Sequence, residues 1–204
     1  SSSGAVASGQ YVITGGLGGL GLRAAGLLVE RGATRVLAAS RSGRVVRDGQ
    51  GLSAQLRSLG GSAGVVVCDS SDRSDTRALF ETGQLLAGVL HAAGAGDRGL
   101  LGGLEAQRVH WMFASKAFGA WYLHGAAAAV PLEAHVLFSS VGSGLGNVGQ
   151  ANYAAGNACL DAHAQSRRVH GVVACSLQWP LVGGAGMGAQ AFTAVAASKA
   201  SVVG

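Results

Sequence analysis

Six short β-prone runs alternate with helix-compatible stretches along the 204 residues, and this alternation constrains the fold more than any other feature of the chain. The runs fall at 11–14 (YVIT), 35–40 (RVLAAS), 63–68 (AGVVVC), 86–91 (LAGVLH), 134–140 (AHVLFSS) and 172–178 (GVVACSL). Most are continuously apolar, as parallel strands covered on both faces are. Between them Leu20–Arg31, Leu52–Leu59, Asp72–Thr82, Leu104–Ala128 and Tyr153–His170 can all be helical, and the alanines Ala126–Ala129 close the fourth before Pro131. The architecture expected is α/β, a doubly wound parallel sheet in one domain long enough to bury a sizeable core. The glycine-rich stretch 42–51 reads as a surface loop.

In such a sheet ligands bind beyond the carboxyl ends of the strands. Polar or glycine-rich signatures follow five of the six runs at those ends: TGGLGGLG, SR, D, HAAG and SSVGSG. The first spans Thr14, Gly15, Gly16, Leu17, Gly18, Gly19, Leu20 and Gly21, between a strand and a helix. Its glycines permit a tight turn and let the backbone approach a pyrophosphate at a helix N-terminus. Where a site for NAD would carry an acid at the end of the second strand, this chain has Ser40 and Arg41. A carboxylate would repel a 2′-phosphate and a guanidinium pairs with one, so the cofactor expected is NADPH. Arg41 is also a position any surface arginine could fill, and Asp69 with Ser70 after the third strand suits either an adenine contact or an ordinary turn. His91, Ala92, Ala93 and Gly94 complete the candidate nucleotide-binding set.

Composition excludes several alternatives. Charged residues are 12% against 49% hydrophobic, yet no apolar run reaches the ~18 residues that a membrane helix needs. The net charge of +5 is spread along the chain, with no basic run interleaved with aromatics, which argues against nucleic acid and suits a phosphate-bearing cofactor or an acidic protein partner. Cys68, Cys159 and Cys175 form no CxxC pair and read as small buried hydrophobes of a reducing compartment, so a cytoplasmic location is expected. The histidines are scattered, and no metal is expected. Residues 1–10 open with SSSG and read as a linker, not a signal peptide.

QANYAAGNACLD carries the remaining chemistry. Tyr153 opens a helix-compatible run as a phenolic acid would in a short-chain dehydrogenase/reductase, but the lysine such enzymes place four residues later is here Asn157. The chain has two lysines, Lys116 and Lys199. Val109, Met112, Phe113, Lys116, Ala120 and Leu123 share one helical stripe, so Lys116 faces the core, where a charge is costly unless paired or used; a lysine reaching out from the stripe's edge is the alternative.

Together TGGLGGLG, SR, HAAG, ASKAFGAWYLH, LFSS and GQANYAAGNACLDA resemble the ketoreductase domain of modular polyketide synthases and animal-type fatty acid synthases, a branch of the Rossmann-like short-chain dehydrogenase/reductase superfamily. The likeness covers most of residues 11–190. In that family the lysine and asparagine of the usual tetrad exchange places, which implies a tetrad of Lys116, Ser140, Tyr153 and Asn157, with Ser139 the neighbouring candidate for the serine. The resemblance implies that Ser140 binds the ketone oxygen, Tyr153 donates the proton, Lys116 makes the phenol a stronger acid and holds the nicotinamide ribose together with Tyr153, and Asn157 positions Lys116 and a relay water. It implies as substrate a β-ketoacyl thioester on the phosphopantetheine arm of an acyl carrier protein, reduced to the β-hydroxyacyl thioester. A free-standing reductase and a non-catalytic or epimerising domain are the rival readings.

Three departures stand out. The Leu-Asp-Asp that marks one stereochemical class reads Gly96, Asp97, Arg98; the tryptophan of the opposite class is Leu145; and the loop after the sixth strand, Trp179-Pro180-Leu181-Val182, is one glycine short. Leu145 and Asn152 lean toward the Leu-Asp-Asp class. The family also implies that residues 11–204 are a catalytic half, with a lid from about residue 183, paired with a preceding structural half and other synthase domains.

Overall fold

The computed structural model describes residues 6–45, 50–81 and 85–183. The lid expected from about residue 183 and Lys199 lie outside the described residues. Strands β1 (Gln10–Thr14), β2 (Arg35–Ser40), β3 (Ala63–Val67), β4 (Leu86–His91), β5 (Ala134–Ser140) and β6 (Cys175–Trp179) form one parallel sheet in the order β3-β2-β1-β4-β5-β6. Strand order reverses between β1 and β4, which opens a crevice above their carboxyl ends.

Alternation along the central strands builds a core on each face. Tyr11 and Ile13 of β1 pack with Ala25 and Leu28 of α1 (Gly19–Glu30). Val12, between them, turns to the opposite face and joins Leu79 and Leu123. Leu123 belongs to α5 (Gly119–Ala126), and α2 (Leu52–Ser58) closes against α1 through Leu22 and Leu52. Leu160 and Ala164 of α7 (Ala151–Val169) pack on Leu137 and Ala120.

Several boundaries differ from those expected. β3 and β6 are edge strands, so Val65 and Val67 stand exposed instead of being covered on both sides, as does Leu177. β6 begins three residues late because Val172 is used in closing α7: its N–H donates to Arg167 O after Gly171 turns with φ 72°. For the same reason Cys175, at the start of an edge strand, is exposed, while Cys68 is buried. Helix α3 (Arg73–Ala78) is short; Asp72 caps its start, accepting from Ser74 N and Asp75 N, and Phe80 and Glu81 bond three residues back, which tightens and ends it. Within the stretch read as linker, Val6 N–H donates to Arg31 O and Gln10 already belongs to β1.

The long helix before β5 is not uniform. It runs as α4 (Ala106–Phe113), a single π turn Ala114–Phe118, and then α5. Met112, Lys116, Ala120 and Leu123 are buried along it. A four-residue α6 (Gly142–Leu145) follows β5.

Candidate active site

The glycines after β1 are there because nothing larger fits. Gly15 has φ 69°, and a Cβ on it would lie 2.6 Å from the Ala93 backbone. One on Gly16 would meet Ile13 O at 2.6 Å, and one on Gly21 would meet Gly15 O at 2.4 Å. Gly18 precedes α1 in an extended conformation with no side-chain cap, and the first turn holds no acid. The N–H groups of that turn therefore face the crevice with their dipole uncompensated, a setting that suits a pyrophosphate.

The crevice is a cleft of about 640 Å³. Of the candidate nucleotide-binding residues, Gly15, Leu17, Gly18, Gly19, Leu20, Gly21, Ser40, Arg41, Asp69, Ser70, Ala92, Ala93 and Gly94 line it. Thr14, Gly16, His91, Lys116 and Tyr153 do not. The first three lie beneath its floor, Thr14 and His91 at 1% and 0% exposure, and Thr14 Oγ1 meets His91 Nδ1 at 2.7 Å. Sequence reasoning missed Ser42, Arg44, Ser71, Trp111, Ala114 and Ser115, which also line the cleft. Arg41 and Arg44 stand on the same lip with no acid at the end of β2, so the residues present fit a phosphorylated ribose. Asp69 spends its carboxylate locally, accepting from Ser71 N at 2.9 Å and Ser71 Oγ at 2.7 Å, which is a turn's chemistry.

None of the four candidate tetrad residues lines the cleft; Lys116 adjoins it, packed against the lining residue Gly94. Lys116 sits in the π turn, 3% exposed, its Nζ 5.3 Å from the Tyr153 ring centroid. Gly94 and Gly156 leave room for it: a Cβ on Gly94 would come within 3.0 Å of Nζ, and one on Gly156 within 3.4 Å of Cδ. Burial pushes the Lys116 amine down to about 8, against the opposing charge of Asp161. Asn157, one turn beyond Tyr153, is wholly buried; its Nδ2 donates to Tyr153 O at 2.9 Å, and its Oδ1 meets no partner among the described residues. A buried, unpaired carbonyl oxygen is ready to accept a hydrogen bond from a lysine or a water. The two serines of LFSS diverge as strand geometry requires. Ser139 is buried and donates to Asn157 O at 3.2 Å, whereas Ser140 stands at the strand end with its Oγ accepting from Gly142 N at 3.1 Å.

Two polar networks brace these groups. Asp161 accepts from Ser143 Oγ at 2.7 Å, Ser176 Oγ at 2.5 Å and Gln178 Nε2 at 2.8 Å, which ties α7 to α6 and β6. Burial raises the Asp161 carboxyl, but these bonds outweigh it and hold the group below the usual range. Asp97 receives Arg108 Nη2 at 2.5 Å and Asn152 Nδ2 at 2.7 Å, fastening the loop after β4 to the start of the Tyr153 helix. Arg108 was also missed.

A family model described as "KR domain" matches residues 9–184. Polyketide synthase GfsA of Streptomyces halstedii is 44% identical over 177 residues, 85% of this chain and 2% of that protein. Erythronolide synthase EryA2 of Saccharopolyspora erythraea is 39% identical over 175 residues, 85% of this chain and 5% of that one. Among solved structures, "Structure of A-type Ketoreductases from Modular Polyketide Synthase" superposes with a TM-score of 0.82 at 36% identity, covering 89% of this chain and 39% of that one. A ketoreductase from the first module of phoslactomycin biosynthesis in Streptomyces sp. HK803 superposes with a TM-score of 0.80 at 37% identity, over 88% of this chain and 43% of that one. The chain thus spans a small fraction of the length of these synthases and about two fifths of the solved ketoreductases.

Proposed function

The chain belongs to the KR-domain family, and from that premise we propose that it is the NADPH-dependent reductase of a polyketide synthase, converting a β-ketoacyl thioester on an acyl carrier protein to the β-hydroxyacyl thioester. The observation that carries this reading is a buried ammonium delivered by the π turn to the ring of Tyr153, with Asn157 in the place other short-chain reductases give to lysine.

The bound nicotinamide supplies the hydride. The chain's own residues do the rest. The glycine turn and the N–H groups of α1 hold the pyrophosphate, and Arg41, with Arg44 beside it, pairs with the 2′-phosphate. Ser140 Oγ donates to the ketone oxygen. Tyr153 gives its proton to that oxygen as negative charge develops there, and the Lys116 charge over its ring favours the transfer. Lys116 also holds the nicotinamide ribose, and Asn157 Oδ1 steadies Lys116 and the water that returns the proton.

The acyl carrier protein and the other synthase domains are the partners, and a preceding structural half in the same polypeptide is proposed as the cover for apolar side chains such as Trp121 and Val169, exposed by 62% and 78%. Free thiols and a soluble nicotinamide suit the cytoplasm; among the described residues no helix is long and apolar enough to cross a membrane. Product configuration is proposed as that of the Leu-Asp-Asp class, on the bond from Asn152 to Asp97. Chiral chromatography of the product reads it, and a clean opposite enantiomer overturns it.

Lys116→Ala tests the exchanged tetrad. Turnover of a β-ketoacyl thioester analogue should fall about a hundredfold or more, with weaker NADPH binding. Near-native turnover in that variant contradicts the assignment.

A further inference from the structure

His91 belongs to HAAG, whose other residues line the nucleotide cleft, yet it is wholly buried beneath it. Its two ring nitrogens face two different parts of the site. Nδ1 meets Thr14 Oγ1 at 2.7 Å, at the end of β1 immediately before the glycine turn; Nε2 meets Lys116 O at 3.1 Å, in the middle of the π turn. Gly119, which ends that turn, makes room for the ring, since a Cβ there would lie 2.8 Å from His91 Cε1.

Chemistry fixes the tautomer. A carbonyl oxygen can only accept, so Nε2 carries the hydrogen and donates to Lys116 O; Nδ1 then accepts, and the Thr14 hydroxyl donates to it. The neutral ring satisfies both contacts. Burial, with the Lys116 charge next in weight, pushes His91 down to about 4, so the ring stays neutral beside the ammonium at working pH.

A π turn is a local excess of one residue in the helix, and its relaxation to regular α geometry would swing the side chains about it by about 100°. Lys116 would then leave its place over Tyr153. We propose that His91 is a positioning residue: a neutral strut between Thr14 and the Lys116 carbonyl that holds the π turn and so sets the lysine amine over Tyr153. The strut links the end of the nucleotide-binding strand to the lysine without touching cofactor or substrate. Its catalytic consequence rests on the reductase reading above; its effect on where Lys116 sits does not.

The titratable groups about this lysine are Tyr153 and Asp161 on α7 and His91 on β4, with His163 of α7 acting on His91 in turn. With only two lysines in the chain, the Lys116 Cε resonance can be followed by NMR in cofactor-free protein labelled at lysine and assigned with Lys116→Arg. The native amine is expected to titrate near about 8. In His91→Phe, which keeps the bulk and removes both bonds, it should move at least about one pH unit toward the ordinary lysine value of about 10.4. His91→Gln places a donor near the Nε2 position and should return the titration to within about 0.3 pH units of native, whereas His91→Asn, reaching only the Nδ1 position, should behave like His91→Phe. In the same order, kcat for thioester reduction should fall about tenfold, recover, and fall again, with KM changing less than about twofold.

A native titration in both His91→Phe and His91→Asn overturns the proposal. So does a shift in His91→Gln equal to theirs while circular dichroism stays native. If His91→Phe does not fold, the contrast between the Gln and Asn variants decides alone. If the native protein reduces no thioester, the reductase reading fails, and the lysine titration still decides the role of His91.

Discussion

Lys116 is 3% exposed, and a lysine so placed gives up hydration that an ammonium ion needs. Its depression from 10.5 to about 8 corresponds to about 3 kcal/mol held against the fold at neutral pH. The sign follows from proton counting. Below about 8 both folded and unfolded chains carry the proton and the full cost is present. Between about 8 and 10.5 only the unfolded chain does, so this group's contribution to stability rises with pH. Lys116→Met should therefore be more stable than the native protein at pH 7, with the gap in urea-unfolding free energy narrowing toward pH 10; a gap that widens contradicts the burial argument. Cofactor choice is also decided residue by residue. NADPH should bind about tenfold tighter than NADH, roughly 1.4 kcal/mol, with Arg41→Ala removing most of that margin and Arg44→Ala a smaller part. Fluorescence titration measures this, and equal affinities in the native protein overturn the assignment. The sequence made Lys116 legible because one of only two lysines stood on an apolar stripe, and Tyr153 and Asn157 because they lie one helical turn apart. Arg44 was hidden in a loop with no periodicity to mark it. His91 was credited to the cofactor because adjacency in HAAG does not reveal that the last residue of a strand turns under the cleft while the next three line it.

At the scale of elements, the glycine turn and the π turn decide whether the site exists. Gly21→Ala would drive a Cβ to 2.4 Å from Gly15 O, so the turn must move. NADPH affinity should fall more than about tenfold and stability by about 1–3 kcal/mol. Native-like binding in that variant would show that the turn yields more easily than its packing suggests. All six strands were legible from apolar runs between breakers, but the alternation of β- and α-compatible stretches does not say which strands lie at the sheet's edges. The exposed valines of β3 and the late start of β6 reflect that. The π turn was illegible for a different reason: Met112, Lys116, Ala120 and Leu123 satisfy ordinary helical spacing, and the extra residue shows only in the hydrogen bonds. Ala114 and Ser115 of the turn, and Trp111 of α4 before it, line the cleft.

At the scale of the whole molecule, four histidines contribute to the response to acid. Burial is the first cause in each: it lowers His124, and it holds His91 and His163 at about 4 and His135 at about 3, against about 6.5 when unfolded. Between about pH 6.5 and 4 the unfolded chain takes up protons that the folded chain refuses, so stability falls as pH falls through that window. His135 also keeps both ring nitrogens without a partner among the described residues. His135→Leu should thus raise the urea midpoint, and more so at pH 5 than at pH 8; an equal gain at both would remove the histidine from the acid response. The order β3-β2-β1-β4-β5-β6 brings the glycine turn, Arg41 and Gly94 to one cleft from three separate stretches of sequence, with Lys116 adjoining it at Gly94 and Tyr153 next to Lys116. The most direct test of what that cleft does is reduction of a β-ketoacyl thioester analogue followed through NADPH absorbance, run beside Tyr153→Phe with NADPH affinity measured on both proteins. The expected result is turnover by the native protein, at least about a thousandfold less by Tyr153→Phe, and NADPH affinities within about twofold of each other. No turnover by a native protein that binds NADPH, or undiminished turnover by Tyr153→Phe, would contradict the account.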